Sequence, residues 1–105
     1  MHEVEQLVMH TDFDGAGARL HAVGELDIST SPRLLSLIDQ LCASDVERIV
    51  IDGARLTFVD SAGLRSLVMA RDRADSLGIS LAVDDASESL TKVLEMTGLY
   101  DFLCD

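Results

Sequence analysis

The chain has 105 residues and a mass of 11.4 kDa, one domain's worth, which excludes any mechanism that needs separate catalytic and cofactor domains. Eight basic residues, seven Arg and one Lys, face nineteen acidic ones for a formal net charge of -11, so neither a nucleic-acid backbone nor an anionic membrane surface is an expected partner. With 48% hydrophobic residues and a mean hydropathy of +0.23, the chain is too apolar to stay disordered and reads as a single globular domain over residues 1–105.

The N-terminal residues carry Glu3 and Glu5 where a secretory signal would carry Lys or Arg, and no apolar run is long enough to span a bilayer. Cys42 and Cys104 lie far apart without a CxxC partner, so the expectation is a cytoplasmic protein with reduced thiols, Cys42 buried on a helix face. From Leu7 to about Phe13 an apolar stretch predicts a strand. Asp14-Gly15-Ala16-Gly17 supplies a tight turn into a second strand, Ala18 to Leu26, where Leu20 and Ala22 alternate with Arg19, His21 and Val23.

Ser29-Thr30-Ser31-Pro32 offers hydroxyl acceptors and a proline suited to a helix start. The helix that follows buries Leu34, Leu37, Ile38 and Leu41 at helical spacing. Val46 to Ile51 ends in three β-branched residues, which predicts a central strand covered on both faces. Thr57-Phe58-Val59 leads into Asp60-Ser61-Ala62-Gly63-Leu64, and a second helix runs to Leu77 and stops at Gly78. Ile79 to Val83 predicts a short strand, and Asp85-Ala86-Ser87-Glu88 resembles a capping box opening a third helix with Leu90, Val93, Leu94 and Thr97 inward. Gly98 suits a left-handed helix end, with Leu99 folding back; the tail to Asp105 is read as a short strand or as irregular. The order β-β-α-β-α-β-α implies an α/β fold, a small two-layer domain with a mixed, mostly parallel sheet and helices packed on one side.

The sequence lacks the residue patterns of catalytic chemistry. His2, His10 and His21 are not spaced as metal ligands and read as surface or strand residues. Gly15-Ala16-Gly17 enters a strand rather than a helix, so it is no dinucleotide fingerprint, and the only lysine, Lys92, lies inside the third helix rather than in a phosphate loop. Asp84 and Asp85 are read as serving the dipole of that helix. The chain is therefore expected to be no enzyme and to hold neither metal nor cofactor. What remains is Ser61 after Asp60 at a helix N-terminus, a position suited to carrying a phosphate, with Gly63 in the first turn where glycine costs roughly 0.5 to 1 kcal/mol against alanine. That cost points to a close backbone approach.

Gly24-Glu25-Leu26-Asp27, Ile49-Val50-Ile51-Asp52 and Phe58-Val59-Asp60-Ser61-Ala62-Gly63-Leu64, in that order, resemble the STAS domain (sulfate transporter and anti-sigma factor antagonist), in particular the small bacterial anti-sigma factor antagonists. The resemblance implies a transcription-regulating binding protein whose unphosphorylated form binds an anti-sigma factor serine kinase with a GHKL-type ATPase fold and so releases a sigma factor. A serine phosphatase resets it. The phosphoacceptor would be Ser61, and Asp27, Asp60, Ala62, Gly63, Leu64 and Arg65 would contact the partner. Ala62 stands where Ser or Thr is common, Arg65 replaces a common small residue, and the final helix of longer members is missing. Oligomeric state is read as monomer or weak dimer.

Two other functions are compatible with parts of the pattern. STAS-like subunits also dock constitutively in lipid-transport ABC complexes and in stress-sensing assemblies. A receiver-like phosphotransfer domain would use Asp52, which follows an apolar strand as a phosphoacceptor aspartate would, but that chemistry wants Mg²⁺ and a lysine after the last strand.

Overall fold

The structure, a computed structural model, describes residues 6–104. In chain order the elements are β1 Leu7–Asp14, β2 Gly17–Leu26, α1 Ser31–Cys42, β3 Arg48–Val59, α2 Ser61–Ser76, β4 Ser80–Asp84, α3 Glu88–Thr97 and α4 Tyr100–Cys104. The strands form one sheet in the order β1-β2-β3-β4, with β1 antiparallel to β2 and the other pairs parallel. Gly15, at φ 59, provides the left-handed turn that closes the β1–β2 hairpin on the Asp14–Gly17 pair.

The pleat sorts the sheet into two unlike faces. Leu20, Ala22, Ile49, Ile51, Leu81 and Val83 point to one side and are buried with Leu34, Ile38, Leu41, Leu67, Ala70, Ala74, Leu90 and Leu94 of the helices. The alternate residues, His21, Val23, Val50, Asp52, Ala82 and Asp84, are only half-buried or exposed. All the helices thus pack on one face, and principal extents of 38 × 36 × 19 Å describe a thin slab. β3 is central, as expected, but only one of its faces carries helices.

Four local expectations are corrected. β3 runs to Val59, so residues 53–59 are strand rather than lead-in, and Asp52 lies in mid-strand instead of following one. Helix α3 is capped by Ser87, whose hydroxyl accepts from the Leu90 amide at 3.1 Å; Asp85 stands outside the helix at φ 51 and caps nothing. Thr97 is exposed, its hydroxyl bonded back to the Val93 carbonyl, while Gly98 takes the predicted left-handed end at φ 73 and the Leu99 amide donates to Leu94 O. The tail is neither strand nor irregular but the short helix α4, anchored by fully buried Leu103. Cys42 and Cys104 are half-buried free thiols, and burial pushes both above the ordinary thiol pKa. His2 lies outside the described residues.

Candidate functional site

The carboxyl ends of β2 and β3 lie side by side, with Leu26 opposite Val59, so the next residues in each strand, Asp27 and Asp60, leave the sheet together. The Asp60 amide donates to the Leu26 carbonyl at 3.3 Å, which ties the two exits. Asp27 turns the chain into α1: its carboxylate accepts from the Ser29 amide (2.9 Å), the Ser29 hydroxyl (2.8 Å) and the Thr30 amide (3.1 Å). Thr30 is the N-cap residue, but no side-chain oxygen caps the first turn of α1, neither the Ser nor the Thr hydroxyl the sequence suggests; the Ser31 amide donates to the Asp27 backbone carbonyl at 2.8 Å and the Thr30 hydroxyl to Glu25 O. The Ser29 hydroxyl above all, with the Thr30 and Ser29 amides, holds the Asp27 carboxyl below the usual carboxylate range.

Asp60 caps α2. Its carboxylate accepts from the Gly63 amide at 2.8 Å and its carbonyl from the Leu64 amide at 2.9 Å, which leaves the Ser61 and Ala62 amides without a partner among the described residues at the positive end of a sixteen-residue helix. Ser61 is exposed, and its hydroxyl has no hydrogen bond among the described residues. Gly63 is the close approach the sequence hinted at: a Cβ there would stand 2.1 Å from Leu26 O and 2.8 Å from Leu26 C. Gly63 and Leu64 are buried, so they position this end of the helix while Asp27, Asp60, Ser61, Ala62 and Arg65 show at the surface. Arg65 makes no ion pair among the described residues, whereas Arg73 is bound to Asp39 of α1 (2.8 Å) and Arg71 stacks on Phe102 of α4 and donates to its carbonyl.

The helix-free face of the sheet holds a second cluster that sequence reasoning did not assemble. His10, His21, Asp52 and Asp84 are consecutive partners across all four strands. Asp12 accepts from His10 (2.8 Å) and His21 (3.2 Å), and one Arg19 nitrogen reaches Asp52 (3.0 Å), Asp84 (3.1 Å) and Asp85 (3.5 Å). Asp84 and Asp85 therefore pair with Arg19, and neither carboxylate hydrogen-bonds the start of α3 among the described residues. The Asp12 carboxyl lies below its ordinary pKa, chiefly through its bond to His10. Burial works to raise that of Asp52, but the Ala54 amide and Arg19 outweigh it and the net shift is downward. A half-open groove of about 540 Å³ runs over this face, lined by His10, His21, Val23, Asp52, Ala54 and Arg55. No group of His, Cys, Asp or Glu among the described residues is arranged to hold a metal ion. The sequence signal was there, since polar residues recur two apart at 10 and 12 and at 19 and 21, but their partners lie on other strands.

A protein-family model described as Mlab, STAS domain matches residues 9–104. No curated protein sequence matches. Among solved structures, an anti-sigma factor antagonist from Mycobacterium paratuberculosis superposes with a TM-score of 0.76 at 20% identity, covering 92% of this chain and 82% of that one. The Bacillus cell fate determinant SpoIIAA, also an anti-sigma factor antagonist, matches at 19% identity in its unphosphorylated form (TM-score 0.79, 93% and 87% covered) and in its phosphorylated form (0.72, 93% and 90%). A sulfate transporter family protein from Wolinella succinogenes gives 0.74 at 17% identity, over 86% of this chain and 73% of that one.

Proposed function

The chain belongs to the STAS domain family, and from that premise we propose that it is an anti-sigma factor antagonist, a binding protein whose hold on its partner is switched off by phosphorylation of Ser61. The observation that carries this reading is the setting of Ser61: an exposed hydroxyl with no hydrogen bond among the described residues, on the first residue of α2, next in sequence to the capping carboxylate of Asp60 and at the strand ends from which Asp27 also leaves the sheet. The partner is an anti-sigma factor with serine kinase activity, a phosphatase restores the hydroxyl, and the compartment is the cytoplasm. No helix among the described residues is long and apolar enough to cross a membrane.

A phosphate adds about -1.5 to -2 units of charge. The α2 N-terminus offsets roughly 0.3 to 2 kcal/mol of its cost. A partner carboxylate about 6 Å away would be repelled by roughly 1 to 5 kcal/mol as the effective dielectric falls from about 80 to 20. Since about 1.4 kcal/mol is a tenfold change in affinity, one phosphate suffices to release the partner without refolding the domain. Binding to the co-purifying kinase should weaken at least about tenfold in Ser61→Asp. Ser61→Ala should bind constitutively and take no phosphate; its stoichiometric phosphorylation would refute the acceptor assignment.

The family description and the sulfate transporter likeness favour a second reading, in which the same surface docks permanently on a transporter. Co-purification separates the two: a GHKL-type kinase supports the first, an ABC ATPase whose binding ignores Ser61 substitutions the second. The receiver-like alternative loses its footing, because Asp52 sits in mid-strand, held by Arg19 and the Ala54 amide.

A further inference from the structure

Among the described residues strand β1 is an open edge of the sheet, and its backbone polarity can be followed residue by residue. The hairpin closes on the Asp14–Gly17 pair through a two-residue turn, and at its far end the Glu25 amide donates to Gln6 O at 2.6 Å. Both features make the even-numbered residues of β1 the ones hydrogen-bonded to β2. Leu7, Met9, Thr11 and Phe13 therefore turn their N–H and C=O groups outward. Arg33 Nη1 covers the Leu7 carbonyl at 2.8 Å, which leaves Met9, Thr11 and Phe13. Several of the usual guards are missing: residues 7–14 contain no Pro or Lys, and their pairing with β2 has no register shift, so exposed Asp12 and Asp14 are the charges this edge carries. Val8 is exposed, and Phe13 is 61% exposed. The opposite edge, β4, has only five residues and has α2 and α4 packed against it.

We propose that a second copy of this chain docks along β1, antiparallel, about a twofold axis through Thr11, doubling the four-stranded sheet. In this register Thr11 faces its own counterpart and Met9 faces Phe13 of the second copy, so each outward N–H and C=O finds a mate. The register one step to either side draws in Leu7, whose carbonyl Arg33 holds, or runs into the Gly15 turn. The side chains select the same register. On the helix side Met9 covers the exposed Phe13 of the second copy. On the other face His10 meets Asp12 and Asp12 meets His10, whereas the neighbouring registers set His10 against itself or Asp12 against itself. The ionic cluster of one copy thus continues into the other. The ends of β2 and β3 stay uncovered, so the dimer and the Ser61 switch stand or fall separately.

A single strand pairing lies at the small end of interfaces, below about 1,200 Å² in total, so the dimer is a weak one. Analytical ultracentrifugation of the full chain over about a thousandfold concentration range should show the mass rise from 11.4 kDa toward twice that value. Thr11→Pro removes an outward N–H and leaves the β1–β2 bonds intact, so it should keep the circular dichroism spectrum and weaken dimerisation at least about tenfold. His10→Asp should weaken it similarly, and adding Asp12→His should restore it. That exchange decides the matter even if Thr11→Pro fails to fold. A chain that stays at 11.4 kDa throughout, or a dimer indifferent to the charge exchange, overturns the proposal.

Discussion

Gly63→Ala is the sharpest probe of how the site is built, because it adds one methyl group where α2 touches β2. That methyl would meet Leu26 O at 2.1 Å, and reaching even 3.0 Å requires the helix start and the strand end to part by about 0.9 Å. Overpacking of this kind costs about 1 to 3 kcal/mol, and the upper end applies because the obstructing atom is backbone and cannot turn aside. Helix propensity returns up to about 1 kcal/mol, for a net loss near 2 kcal/mol. In a domain this size each kcal/mol lowers Tm by about 4 to 8 °C, so thermal unfolding should shift down by about 8 to 16 °C. Gly53→Ala is the control: its methyl would meet Leu90 Cδ2 at 2.8 Å, the end of a side chain that can rotate, and should cost no more than about 1 kcal/mol. If Gly63→Ala melts no lower than Gly53→Ala, the close approach is not what fixes the start of α2 against the end of β2.

Asp60→Ala removes the acceptor for the Gly63 amide and should cost about 1 kcal/mol in urea unfolding, with Asp60→Asn retaining most of that stability. Asp27→Ala should destabilise at neutral pH by an amount that shrinks in acid. The Asp27 pKa is lowered in the folded chain, so its contribution is complete above the unfolded value of about 3.9 and disappears as pH falls through the folded value. A gap between wild type and Asp27→Ala that is unchanged from neutral pH to acid would contradict the hydrogen-bond account.

The elements that the sequence made legible are those whose signals are local. Asp14-Gly15 marks the hairpin, Asp60 the start of α2 and Gly98 the end of α3, each through a residue whose backbone or side-chain preference acts within a few positions. The far half of β3 escaped because its buried residues, Gly53, Leu56 and Val59, recur three apart instead of two. Register shifts opposite His21–Val23 and Gly24–Glu25 insert extra residues there, and a bulged strand no longer alternates. In α4 a single buried Leu103 in five residues gives no period to find. Ser61, Asp60 and Asp27 could be singled out in advance because a cap and a resemblance marked them. The Arg19 cluster could not, since its hydrogen-bonded partners Asp52 and Asp84 lie 33 and 65 residues away and meet only once the strands are ordered.

The pinning of Leu26 has one more consequence. A single carbonyl receives the Asp60 amide and abuts Gly63, while Asp27, the next residue, clamps the start of α1, so the backbone around Ser61 is fixed before any partner arrives. Association then surrenders little chain entropy. Encounter should proceed without a folding step, and substitutions on the exposed rim should alter mainly how long the complex lasts.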